Sequence, residues 1–441
     1  MDSEEAVRRV GHALADSFPS DSHNPLRALD AKAMELAEGD ASLRAALFRL
    51  VDVTPACRSL DDLARHLTGY LAEVDERPQP LEVAMRMGGS KAGRKALGAA
   101  ATAGVRHMAH RFIVGESPAA ALKAIEGNWR DGVATSIDLL GEATVTQEEA
   151  DRYAARCEDA FRTLAGAAGR WPQRPLLERD SAGPVPRVNV SVKVTALTPL
   201  MRPEAPGVGH EDAARRLRPL LETARELGAH LHVDMESMDS LETTEALIFD
   251  LLDEFEDGPS AGMVLQAYLR DSPQLLERVL EWAQRSGRTT PLTIRLVKGA
   301  YWDHEVVEAR QHGWSPPVFE SKAECDRNFE LLTRRLLDAR PLVRVAIASH
   351  NLRSVAHAIA YSRAGGGNDA DLELQVLRGL GDELAHALAG SRMRVRSYCP
   401  VGDLVAGMAY LVRRLLENTA NESFLQDWRQ GAELDELLAA P

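Results

Sequence analysis

The chain has 441 residues, 45% hydrophobic and 27% charged, with a mean hydropathy of -0.24, a composition that excludes a disordered, collagenous or membrane-spanning protein. Its 52 Lys and Arg against 66 Asp and Glu give a formal net charge of -14, a surface that repels phosphate backbones and argues against nucleic acid as a partner. The four cysteines, Cys57, Cys157, Cys325 and Cys399, form no C-x-x-C pair, so neither a disulfide framework nor a zinc site is expected, and a reducing compartment fits.

The acidic start, Met1-Asp2-Ser3-Glu4-Glu5, lacks the basic and apolar regions of a signal peptide. No apolar run approaches the ~20 residues of a spanning helix; the longest, 404–412, is interrupted by Gly407. The expected location is the cytoplasm. Through about residue 170, helical spacing such as Leu43-x-x-x-Leu47-x-x-Leu50-Val51 predicts an all-helical N-terminal arm. Pro and Gly punctuation at Trp171-Pro172, Arg174-Pro175 and Gly183-Pro184-Val185-Pro186 marks a boundary near 185. Beyond it, β-branched runs at 187–194, 230–237, 263–268, 292–301, 343–351, 372–377 and 393–400 alternate with helical stretches such as 213–227 and 274–282. That rhythm, without a G-x-G-x-x-G, predicts an α/β fold of the (β/α)8 TIM-type barrel kind, with seven of its eight strands identifiable. The expected division is a helical arm over 1–184, the barrel over 185–425 and a tail over 426–441.

Barrel chemistry gathers at the C-terminal ends of the strands. The first run puts Asn189, Ser191 and Lys193 on one face and ends on the lysine; taken alone, such a lysine is more often a snorkelling surface group. The second aligns His230, His232, Asp234 and Glu236, a ladder costly to bury unless it is used, the alternative being an edge strand facing water. The fourth ends Arg295-Leu296-Val297-Lys298-Gly299-Ala300-Tyr301-Trp302, which suits either a flat anionic ligand or a basic strand end with core aromatics. Gln266, Tyr268, Ser349-His350-Asn351, Gln375, Leu377 and Tyr398 fall at the remaining ends. On the last helix Tyr410, Arg413, Arg414 and Glu417 share a face, where paired arginines can grip a carboxylate with Glu417 fixing Arg413, or form a solvated surface pair. A metal-dependent hydrolase would use His230, His232, Lys298 and His350, but the first two begin their strand and belong low in the barrel. No metal is expected. A barrel without activity, acting as a scaffold, is the non-enzymatic alternative.

These segments, together with Tyr398-x-Pro400-x-Gly402, Tyr410-Leu411-Val412-Arg413-Arg414-x-x-Glu417-Asn418, Phe112-Ile113-Val114-Gly115-Glu116 and Leu140-Gly141-Glu142-Ala143, resemble the proline dehydrogenase family of flavin-dependent barrels, in the form found in bifunctional proline-utilisation flavoenzymes. The resemblance covers roughly three quarters of the chain. It implies an FAD-dependent proline dehydrogenase that oxidises L-proline to Δ1-pyrroline-5-carboxylate by hydride transfer to flavin N5, the first step of proline catabolism to glutamate, with electrons passed to a quinone. It further implies that Arg413 and Arg414 hold the proline carboxylate and that Glu142 supports an arginine. Lys193, Asp234 and Tyr398 would surround the ring, with Tyr301 and Leu377 beside them; Tyr398 packing on the ring would disfavour a 4-hydroxyl. Gln266, Arg295, Val297, Lys298, Gly299, Ala300, Tyr301, Trp302, Lys322, Ser349, His350, Asn351, Gln375 and Glu417 would contact FAD. Lys193, Asp234, Arg295 and Tyr398 would carry the catalysis, an arginine near N5 and O4 stabilising negative charge on the reduced flavin. Peripheral association with the inner face of a membrane and pairing with an aldehyde dehydrogenase domain or enzyme also follow as expectations. Ending at Pro441, the chain carries neither the ribbon-helix-helix segment nor the aldehyde dehydrogenase half of the longer forms, as a single-activity enzyme or a separated domain would.

Overall fold

The alternation read above folds, in a computed structural model, into eight parallel strands: β1 (Val133–Leu139), β2 (Asn189–Lys193), β3 (His230–Asp234), β4 (Ser260–Gln266), β5 (Leu292–Val297), β6 (Val343–Ala348), β7 (Leu372–Leu377) and β8 (Arg394–Val401). The structure describes residues 3–18, 40–75, 79–141, 143–403, 407, 428 and 431–441. The strands pair in chain order and β8 closes on β1. Val190, Val192, Leu231, Val233, Leu292, Ile294, Leu296, Val343, Val345 and Ile347 are buried in one continuous core with the surrounding helices. Most of the alternate positions are polar, among them Ser136, Asn189, Ser191, His232, Asp234, Arg295, Gln375 and Arg396, and face the barrel axis, an unusual filling for a fold whose interior is generally Val, Ile and Leu.

Helices follow the strands with ordinary stop and start signals. The helix Ser272–Ser286 opens with Pro in its first turn and ends on Gly287 in the left-handed region at φ 61, the conformation glycine adopts without strain. The helix Gln147–Ala168 opens on a capping box, Thr146 with Glu149, which satisfies two otherwise unpaired amides. Upstream, the helices Ala41–Val53, Leu60–Ala72, Gln79–Met87 and Lys91–Phe112 enclose a separate apolar cluster that includes Leu43, Leu50, Leu63, Leu67, Leu71 and Leu97. This is the expected helical arm.

The expected barrel boundary at 185 is too late. The eighth strand is β1, and it lies inside the segment read as arm. Ser136 and Asp138 interrupt its β-branched pattern, because they point into a polar interior, toward Asn189, Ser191 and Lys193. The punctuation at 171–186 marks instead a loop under the barrel, where a hairpin pairs Arg179–Asp180 with Gly183–Pro184. Asp180 reaches up to Arg344 at 2.8 Å and Arg394 at 3.3 Å. Most of the expected strands also overran their observed C-terminal ends: 292–301, for example, contains a strand only over Leu292–Val297, and the residues after it form the rim.

Candidate active site

Register sets the height of each interior side chain. Lys193 pairs with Asp234 across β2 and β3, Leu377 with Tyr398 across β7 and β8, and Tyr398 with Ser136 across the closure. Lys193, Asp234 and Tyr398 therefore meet at the C-terminal mouth.

Asp234 is their hub. Its Oδ1 accepts from an Arg295 terminal nitrogen at 2.6 Å and its Oδ2 from the Tyr398 hydroxyl at 2.7 Å. Arg295, 4% exposed, also donates from Nε to Gln375 Oε1 at 2.7 Å and from its other terminal nitrogen to Ser191 Oγ at 3.3 Å and Ser136 Oγ at 3.5 Å. Its guanidinium carbon lies 5.3 Å from the Tyr398 ring centroid, within cation–π range. A buried cation is tolerable when its donors are answered in this way. Lys193 Nζ pairs with Asp138 at the end of β1. Burial opposes the lysine's charge, but the Asp138 and Asp234 carboxylates outweigh it and hold the ammonium above its ordinary value. Burial, followed by the charges of Asp138 and Asp234, pushes the Tyr398 phenol well up. Both groups therefore stay protonated at neutral pH and act as donors. Glu236, just past β3, accepts from Thr195 Oγ1 at 2.7 Å, and burial raises its pKa.

Around this network runs a rim. Gly299 sits at φ +139, and a Cβ there would come within 2.5 Å of the Tyr268 ring, so only glycine lets the backbone lie on that aromatic face. Lys298 pairs with Asp326. Trp302, 39% exposed, donates to the Phe319 carbonyl at 2.9 Å. Tyr301 and Val297 are half-buried, and Ala300 and Lys322 are exposed. His350 Nε2 accepts the Leu377 amide at 2.9 Å, which leaves the ring proton on Nδ1. Ser349 Oγ accepts the Asn351 amide at 3.1 Å, and Asn351 caps the helix Leu352–Ala364, so these two shape the turn that carries His350. Gln266 is buried and donates to the Glu236 carbonyl at 3.0 Å.

The structure thus brings Asp234, Arg295, Gln375 and Tyr398 into one hydrogen-bonded network, sets the Lys193–Asp138 pair beside it, and places the 297–302 rim, His350 and Leu377 around the same end. Glu142, Tyr410, Arg413, Arg414 and Glu417 lie outside the described residues. Sequence reasoning missed Asp138, Ser136, Glu373 and Arg396. The signal for the first two is Ser136-Ile137-Asp138, a period-two polar pair leading into Leu140-Gly141, inside the stretch expected to be helical arm.

The histidines sit low, as their place in the strand predicts. His230 Nδ1 lies 2.8 Å from Ser260 Oγ and His230 Nε2 lies 3.2 Å from His232 Nδ1. Burial, aided by neighbouring arginines, pulls His230 down to about 3 and His232 well below its ordinary value, so both are neutral. A cavity of about 30 Å3 at this floor is lined by His230, Arg344, Glu373, Arg394 and Arg396, away from the mouth. His350 stands at the opposite end, so the four residues of the hydrolase alternative do not converge.

A proline dehydrogenase family model matches residues 121–427, and a proline utilization A N-terminal domain model matches 4–112. The bifunctional protein PutA of Salmonella typhimurium is 33% identical over 347 residues, 76% of this chain and 25% of that protein. The proline dehydrogenase of Deinococcus radiodurans is 29% identical over 322 residues, 72% of this chain and 89% of that one. The crystal structure of proline utilization A from Bdellovibrio bacteriovorus, inactivated by N-propargylglycine, superposes with a TM-score of 0.90 at 35% identity, covering 100% of this chain and 44% of that one. The chain spans about a quarter of the length of the bifunctional curated relatives it matches.

Proposed function

Because the chain belongs to the proline dehydrogenase family, we propose that it oxidises L-proline to Δ1-pyrroline-5-carboxylate with FAD as hydride acceptor, in the first step of proline catabolism to glutamate. The observation that carries the reading is the Lys193, Asp234, Arg295 and Tyr398 network, buried at the mouth of the barrel and answered bond for bond.

The residues divide the work by what each can do. Asp234 holds Arg295 and Tyr398 in fixed orientation, and Lys193 and Tyr398 remain protonated, so neither takes a proton from substrate. The ring nitrogen reacts as the free amine, with its lone pair available as hydride leaves the adjacent carbon. Arg413 and Arg414 would grip the carboxylate, with Glu142 supporting an arginine, while Tyr301 and Leu377 border the ring. The rim fits a flat anionic cofactor by its donors and rings: Arg295 and Lys298 bring positive charge and Tyr301 and Trp302 bring aromatic faces, while Gly299 lets the rim backbone close on the Tyr268 ring. Gln266, Arg295, Val297 to Trp302, Lys322, Ser349 to Asn351, Gln375 and Glu417 would hold FAD, which supplies the hydride-accepting N5 when bound. Arg295 brings the positive charge that favours reduction. Onward transfer to a quinone, residence in the cytoplasm at the inner face of a membrane, and pairing with an aldehyde dehydrogenase domain belong to the same proposal. No helix among the described residues is long and apolar enough to cross a membrane.

The test is an absorbance spectrum of purified protein before and after anaerobic L-proline. A flavin band near ~450 nm that bleaches supports cofactor, substrate and hydride transfer together. A band that persists would leave the cofactor and remove proline; no flavin after reconstitution would return the chain to a scaffold.

A further inference from the structure

Below the mouth, Arg295 is held by a chain of side chains that the proposed reaction does not by itself require. Glu373 and Gln375 lie two residues apart on β7 and face the same interior. Glu373, buried, accepts from Arg396 Nε at 2.8 Å and from its terminal nitrogen at 2.9 Å, and Arg396 is fixed in turn by the Thr135 carbonyl at 3.0 Å. Burial opposes the charge on Glu373, but the Arg396 guanidinium overrides it and brings the carboxyl down to about 2. It is therefore ionised throughout the working range.

An ionised carboxylate only accepts hydrogen bonds, and the Nε–H of an arginine only donates. Gln375 stands between one of each. Its Nε2 donates to Glu373 Oε1 at 2.6 Å, and its Oε1 accepts from Arg295 Nε at 2.7 Å. Turned over, the same amide would set donor against donor and acceptor against acceptor at those distances, so the two ends together allow one orientation. We propose that Glu373 is a positioning residue: its carboxylate fixes the Gln375 amide, which fixes the guanidinium of Arg295 that serves the reaction. The consequence for the flavin rests on the reading of Arg295 given above.

The test uses the holoenzyme and three variants, Glu373→Gln, Gln375→Leu and the double, with the midpoint potential of the bound flavin and separate kcat and KM values for proline as readouts. Removing a negative charge from the barrel would by itself make the flavin easier to reduce. Releasing Arg295 does the opposite. In E373Q the potential is therefore expected to move negative, with kcat down about tenfold and KM within about threefold. Q375L should show the same sign, and the double variant should add nothing to it, because both act through one amide. A potential that stays or moves positive in E373Q, or effects that add in the double, would overturn the proposal in favour of a remote charge or a packing role. Should E373Q fail to fold, Glu373→Asp keeps the charge but shortens the reach to the amide; a wild-type potential in that variant overturns the proposal equally. A wild-type protein whose flavin proline does not reduce would sink the functional reading itself, whereas a reducible wild type with a normal E373Q sinks only the positioning role.

Discussion

Asp234 answers two donors with two oxygens, which no uncharged side chain of its size can do. In Asp234→Ala, Arg295 and Tyr398 lose their shared acceptor, and a buried guanidinium left without its carboxylate costs about 3–5 kcal/mol. Urea unfolding should show a loss of that order, and kcat/KM for proline should fall at least about a hundredfold; wild-type kinetics would remove Asp234 from the site. The floor makes a second prediction. His230 and His232 are neutral in the fold, with values below the 6.5 of a free imidazole. As pH falls below 6.5 the unfolded chain binds protons the native state refuses, so stability drops by up to about 1.4 kcal/mol per pH unit for each histidine. This continues for His230 until about 3. Between pH 6 and 5, where ordinary carboxylates are still ionised, His230→Gln should have the shallower dependence of urea midpoint on pH. A slope equal to wild type would show that the imidazole titrates in the native state.

Elements show how much was legible beforehand and why the rest was not. The runs from β2 to β8 announced themselves through β-branched residues on the face that meets the helices, and their polar ends at Lys193, Asp234, Arg295 and Tyr398 were readable as a site because polar strand ends are exceptional in a barrel. β1 hid for the same physical reason that the site exists. Ser136 and Asp138 face a polar interior and are not β-branched, so the segment offers only a short, broken run of strand-forming residues. Likewise Glu373 and Arg396 are meaningful only once register sets Arg396 beside Gln375 at the β7–β8 seam, one diagonal step from Glu373, and a sequence carries no register between strands. The hairpin 179–184 resembles a domain boundary in sequence because prolines and glycines look the same in a linker and in a plug. Its role can be tested. Asp180 is buried against Arg344 and Arg394, at the end of the barrel that serves stability rather than chemistry. Asp180→Ala should cost about 3–5 kcal/mol in urea unfolding while leaving the KM for proline within about twofold, since Glu373 keeps its own pair with Arg396. A large change in KM would show that the floor reaches the mouth by a second route.

At the scale of the molecule, the first helix and the last described segment meet on the outside of the barrel. The helix Ser3–Ala15 packs on the helix Leu352–Ala364, where Arg353 donates to Glu4 at 2.9 Å, to Glu330 at 2.7 Å and to the Leu438 carbonyl at 3.0 Å. Leu438 is 0% exposed and fills the space that a Cβ on Gly11 would occupy, 2.5 Å away. The clasp grips the start of the helix that Asn351 caps, one turn from His350 on the rim. Loosening it should therefore be felt in cofactor retention before it is felt in chemistry. Leu438→Ala removes a buried leucine, a change of about 2–5 kcal/mol, and is expected to lower the urea midpoint and the flavin-to-protein ratio after gel filtration. The rate per bound flavin should stay at the wild-type value, because the Asp234, Arg295 and Tyr398 contacts lie inside the barrel and share no partner with the clasp. Full flavin at a lowered midpoint would confine the clasp to stability. A lowered rate per flavin would instead mean that the outer helix and the interior network move together.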